Sequence, residues 1–236
     1  MAGEVSRNMR MTRALTLGFT LLVGAVTMAQ PADPSRTLPA MATTKLAASL
    51  ASAKAHARHV WRDTPPTNAD GTVNAYIEIA RGDRNKYEFD MGRNQRAIDR
   101  VVPEKIGGYV VNYGFVPQTV SYDGDPFDAL VLGPPIDGGT VVKGVIVGLF
   151  LMEDEKGHDG KVVLSRTNAS GKPLHALTTE SKKEMDDYFS RYKEGQPGLF
   201  SKVGGWGSIE QGRAHVTVTH AFFTTCPARA GTSCAL

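Results

Sequence analysis

The stretch "SYDGDPFDALVLG" at residues 121–133 puts Asp123, Asp125 and Asp128 within six positions, then runs directly into an apolar, strand-like segment. Carboxylates this close repel one another, so they form either a solvated turn or the seat of something strongly positive. Gly124 and Pro126 predict a tight turn that aims Asp123 and Asp125 the same way, with Asp128 opening the strand. An EF-hand is excluded by position. Counting from Asp123, the fifth, sixth and twelfth places hold Phe127, Asp128 and Pro134, where an oxygen ligand, glycine and glutamate are needed. Hard cations such as Mg2+ need only a few carboxylates plus waters and substrate oxygens, so a metal site stays open beside the solvated turn.

Outward from this turn the chain reads as strands. Residues 71–80, 86–91, 95–102, 128–133, 140–152 and 161–167 are rich in β-branched and aromatic residues and are separated by Gly, Pro or Asp. Within residues 179–193, Met185, Tyr188, Phe189 and Tyr192 recur at helical spacing, and Ser181 with Glu184 offers a capping box. Residues 207–223 leave two readings open: Ser208 suggests a helix cap, whereas "HVTVTHAFF" has strand propensity. Together these predict one mainly β domain over residues 71–225, a small barrel or curled sheet with flanking helices.

The N-terminus has the layout of a secretory signal peptide. Arg7, Arg10 and Arg13 precede an apolar run from Ala14 to about Met28, and cleavage after Ala29 is expected. The alternative is a membrane anchor, but about 15 apolar residues fall short of the ~20 that span a bilayer. Residues 1–29 hold three Arg and one Glu, so their removal takes the formal charge from +3 to +1. Neither value argues for nucleic acid or an acidic membrane surface. Residues 30–70 are rich in Ala, Pro, Ser and Thr and read as a linker or arm, with a short helix around Lys45–Ala57. Cys226 and Cys234 lie in the tail, residues 226–236, where an oxidising compartment would permit a local disulfide.

Other charged and aromatic residues are ambiguous one at a time. Glu78 sits inside a strand, and Lys86 and Glu88 share a strand face, as a surface ion pair would. Asp154, Glu155, Asp159 and Lys161 occupy a loop between two apolar strands, which also suits a charged hairpin tip. Arg100 stands alone. Tyr109 and Tyr113 fit core aromatics with hydroxyls at an edge, and Tyr192 and Lys193 end the late helix.

Their order and spacing decide more than any one of them. From Tyr76 to Trp206, about 130 residues, the chain resembles the soluble family I inorganic pyrophosphatases, whose acidic signature D-x-D-P-x-D reads here "DGDPFD". The resemblance implies an OB-like five-stranded β-barrel and hydrolysis of pyrophosphate with several Mg2+ ions. Asp123 and Asp128 resemble ligands of the tightest metals, and Asp125 resembles the general base, itself beside the metals. Asp154 and Asp159 look like the remaining metal carboxylates, with Glu78 acting through water. Lys86, Arg100, Lys161, Tyr192 and Lys193 resemble the phosphate-binding set, while Tyr109, Tyr113, Glu88 and Glu155 match polar positions around the same cavity. Carboxylates in such number would repel a tetra-anionic substrate unless divalent cations intervened.

The chain departs from the family pattern at Val110, where many members have Pro, and at Gly204, where an acidic residue is frequent. Its cysteine-bearing tail beyond Phe222 has no family counterpart. The leader is unusual for a largely cytoplasmic family; it implies a periplasmic or secreted protein without stable membrane association after cleavage, cytoplasmic location being the alternative. The family also implies a homo-oligomer, dimer or hexamer. Two rival readings remain. An OB-type nucleic-acid module is opposed by the acidic groove, since such modules track phosphates with basic ones. An exported cation-binding protein without catalysis would be separated by assaying phosphate release.

Overall fold

A computed structural model describes residues 37–236; the leader and the start of the arm lie outside the described residues. In chain order the elements are β1 (Thr37–Leu38), α1 (Ala40–Ala53), α2 (Val60–Asp63), β2 (Val73–Ile79), β3 (Asn85–Asp90), β4 (Gln95–Val101), β5 (Asn112–Val116), β6 (Phe127–Leu132), β7 (Val141–Asp154), β8 (Gly157–His158), β9 (Lys161–Ser165), α3 (Thr179–Phe189), β10 (Ser201–Gly207), α4 (Ile209–Thr225) and β11 (Cys234–Ala235).

Five strands pair in a ring. β7 is antiparallel to β2, β2 to β5 and β5 to β6; β6 runs parallel to β9, and β9 returns antiparallel to β7. β7 can serve so many neighbours because it is 14 residues long, and its far end also carries β8 and β10. The fold is thus mainly β with flanking helices, in the OB-like arrangement expected. The period-2 alternation of the strands sorts much of the core into two clusters, with a third beneath the arm and tail. Val73, Ala75, Ile77, Ala129, Val131, Val162 and Leu164 pack on one side, with Val216 of α4. Leu130, Leu132, Phe150, Met152 and Val163 pack on the other, with Met185, Tyr188 and Phe189 of α3. At the β2–β5 seam an added Cβ on Gly114 would stand 1.8 Å from the Tyr76 carbonyl oxygen, so only glycine lets the strands meet there. β3 and β4 form a separate hairpin beside the ring.

Several expectations need correction. Residues 37–70 are no free linker: Leu38, Ala42, Leu46, Ala53 and Trp61 are fully buried, and the Trp61 Nε1–H donates to the Thr119 carbonyl at 3.0 Å. The early helix runs 40–53, not 45–57. The α3 cap lies one turn earlier than expected. Thr178 caps it and Ser181 completes the box, while Glu184 reaches Arg81 at 3.1 Å. Residues 209–225 are helical despite their β-branched run, because Ser208 and Gln211 form a capping box and Val216, Thr219 and Phe222 are buried. Residues 112–116 and 201–207 form strands that the sequence pattern does not mark. The two cysteines form a disulfide, and the tail they close pairs β11 with β1. Among the described residues no helix is long and apolar enough to cross a membrane.

Candidate active site

The charged residues singled out in the sequence come from six strands and four connections, and the fold brings them to one end. Lys161, at the first position of β9, is fully buried; its Nζ donates to Asp128 Oδ2 at 2.6 Å and to Asp159 Oδ1 at 2.7 Å. The Tyr113 hydroxyl donates to the same Asp128 oxygen at 2.5 Å. Lys193, just beyond α3, is also buried and bridges Asp154 at 2.8 Å and Glu155 at 2.8 Å. The turn at 121–126 is as tight as predicted: Ser121 N–H donates to the Asp125 carbonyl at 2.6 Å, and Gly124 has φ 85°. It aims Asp123 and Asp125 together at Lys156 Nζ, 3.1 and 3.4 Å away.

On the β3–β4 hairpin Lys86 pairs with Glu88 and lies 3.4 Å from Asp99. Arg100 is 3.5 Å from Asp99 and its guanidinium sits 5.9 Å from the Tyr192 ring centre. Glu78, on β2, is buried. Burial, and next the charges of Glu88 and Asp128, raise its carboxyl well above the usual range. Burial also pushes Asp125 up to about 6, with Asp123 adding to the effect. Asp159 is pushed up to about 7 by burial, Lys161 opposing and Asp128 adding. Partial burial acts on the half-buried Asp123 as well, yet Lys156 holds it below its ordinary value. Neighbouring carboxylates with divergent affinities for protons mark a functional site more often than a structural one.

Against the acids, through Tyr113, packs a cluster of aromatic rings: Tyr109 lies 5.6 Å from Tyr113 and 5.3 Å from Tyr188, and Tyr188 stacks on Tyr192 at 6.1 Å. Here Tyr109 departs from expectation, for its hydroxyl is buried rather than at an edge. The hydroxyls of Tyr109 and Tyr188, with Arg100 Nε and Nη2, are buried and find no hydrogen-bond partner among the described residues. Buried donors without acceptors are costly, about 1–3 kcal/mol each. An oxygen-rich ligand would satisfy all four of these atoms.

The same end fits hard divalent cations. No three His, Cys, Asp or Glu side chains converge at coordinating distance among the described residues. The carboxylates instead stand in pairs about an ammonium group: Asp123 and Asp125 about Lys156, Asp128 and Asp159 about Lys161, Asp154 and Glu155 about Lys193. An all-oxygen donor set already drawn around positive charge suits Mg2+-like ions. Sequence reasoning missed Lys156, Tyr188 and Lys45, the last lying 2.6 Å from Asp125. Lys156 stands in the acid-rich loop 153–159 and could have been found there. Lys45 carried no local signal, because only the folded chain brings α1 to the turn.

An OB-like ring with carboxylate–lysine pairs at one end, and a buried guanidinium and tyrosine hydroxyls close by, defines a class of metal-assisted phosphoryl-transfer proteins. The family model for inorganic pyrophosphatase matches residues 75–224, and the chain belongs to that family. It is 38% identical to the inorganic pyrophosphatase of Thermus thermophilus over 161 residues, 62% of this chain and 89% of the relative. It is 34% identical to that of Sulfolobus acidocaldarius, over 65% and 92% of the two chains. The crystal structure of the Thermus thermophilus enzyme superposes with TM-score 0.64 at 34% identity, over 70% of this chain and 99% of the other.

Proposed function

We propose that this chain hydrolyses inorganic pyrophosphate to two orthophosphates with Mg2+ as the cation. The observation that carries this reading is the pairing of two sets of groups at one end of the ring. One is acidic and can concentrate divalent cations; the other holds four unsatisfied buried groups, on Arg100, Tyr109 and Tyr188, that phosphate oxygens would satisfy.

Divalent cations bound by Asp123, Asp125, Asp128, Asp154 and Asp159, with Glu78 behind them, would neutralise substrate and lower the pKa of an attacking water. Asp125 is the base. One of its oxygens faces the site beside Asp123, and its raised proton affinity suits it to accept a proton near neutrality. Arg100 and Lys86, at the hairpin edge, bind terminal phosphate oxygens; Lys161 and Lys193, paired with the acids, and Tyr192, from the aromatic cluster, take up charge as the P–O bond breaks. Tyr113 orients Asp128 through its hydroxyl. Glu88 and Glu155 hold Lys86 and Lys193 in place. The protein acts as a homo-oligomer in an exported compartment, to which the leader and the cysteine pair are suited.

Phosphate release from pyrophosphate with Mg2+, measured on separated periplasmic and cytosolic fractions, tests the activity and the location together. Release should vanish in EDTA and return with Mg2+. Cation binding without turnover would refute catalysis, and activity confined to the cytosolic fraction would refute export.

A further inference from the structure

α1 lies outside the family match at residues 75–224, and so do both cysteines. It is nonetheless packed on the acidic turn. A Cβ added to Gly124 would stand 3.0 Å from Lys45 Cβ and 3.1 Å from Ala42 Cα, so turn and helix touch backbone to backbone. From this helix Lys45 Nζ reaches Asp125 Oδ1 at 2.6 Å, while Asp125 Oδ2 faces Lys156 at 3.4 Å. The two oxygens of one carboxylate are thereby divided between the added helix and the site.

The helix is fastened by the tail. Leu38, Ala42 and Leu46 bury against Phe222, Cys226 and Cys234. Thr43 Oγ1 donates to the Thr232 carbonyl at 2.8 Å, and the Gly231 N–H donates to Thr44 Oγ1 at 3.0 Å. β1 pairs with β11, placing Leu38 opposite Cys234. Residues 231 and 232 lie within the loop that the disulfide closes, so the bond fixes the surface on which α1 rests.

We infer that Lys45 is a positioning residue for Asp125, holding one carboxylate oxygen from outside the family core so that the other faces the site, and that the disulfide-closed tail keeps it there. The inference rests on the pyrophosphatase reading above. Lys45 acts through Asp125, on the carboxylate oxygen turned away from Lys156. Its loss therefore lowers kcat and leaves the KM for pyrophosphate unchanged.

The test has two arms. Lys45→Met should lower kcat about five-fold, the scale of one partly exposed ion pair, and Lys45→Arg should restore most of it. In the second arm a dithiol reduces Cys226–Cys234 to two thiols while closing to its own cyclic disulfide. Reduction should bring parental kcat down to the Lys45→Met level, leave Lys45→Met unchanged, and raise amide exchange across residues 40–53 in metal-free, substrate-free protein. Parental kcat in Lys45→Met would overturn the inference. So would an Lys45→Arg variant as slow as Lys45→Met, or a reductive loss equally large in Lys45→Met. A parental protein that releases no phosphate at all would instead sink the pyrophosphatase reading, and this inference with it.

Discussion

In the folded protein Asp125 keeps its proton up to about pH 6 and Asp159 up to about pH 7, against an ordinary value of 3.8 for each. Between pH 4 and 7 the folded state therefore binds more protons at these two groups than the unfolded chain does. Their contribution to stability is complete below pH 4 and is lost as pH rises through 6 and 7. Measured in chelator, Asp159→Asn should gain Tm relative to the parent as pH is raised from 5 to 8. A constant difference would show that Asp159 is not the titrating group. Asp125→Asn should fold with unchanged circular dichroism and lose turnover by a factor of about a hundred or more; near-parental turnover would remove Asp125 as base. Lys161 has the opposite character, being a buried cation shared by two acids. Lys161→Met should destabilise the metal-free protein by about 3 kcal/mol in urea unfolding, and added Mg2+ should recover part of that loss.

Among the elements, β5 is the most sensitive to a single atom. Gly114→Ala places a methyl group inside the van der Waals distance of the Tyr76 carbonyl, and the β2–β5 seam must open. A loss of about 3 kcal/mol is expected, read as a lower urea midpoint; a parental midpoint would mean the seam is looser than its geometry implies. The same residue explains why β5 was hard to read. "NYGFV" has a polar start and a central glycine, and becomes a strand only because β2 and β6 stand ready on either side. β10 is similar, since "SKVGGWG" has three glycines and borrows its conformation from the end of β7. Strands carrying their own pattern, such as β2, β6, β7 and β9, were legible; those defined by neighbours were not. The site divides along the same line. Asp123, Asp125 and Asp128 share one turn and declared themselves by density. The partners of Lys156 and Lys193 depend on which loops the ring brings together, and residue spacing does not encode that.

For the whole molecule, the added arm and tail act as one clasp around the family core. Replacing both cysteines with serine removes the closure of a short loop, a change of about 2 kcal/mol. The Tm should fall by roughly 5 °C for a domain of this size, without loss of the ring's β-sheet signal in circular dichroism; a collapse of that signal would make the clasp part of the fold itself. The pairing of Thr37 with Ala235 and of Leu38 with Cys234 also has a consequence in time. The two strands stand almost two hundred residues apart in the sequence, so wherever the chain folds, β1 and α1 are not fastened until residues 234 and 235 are free to pair.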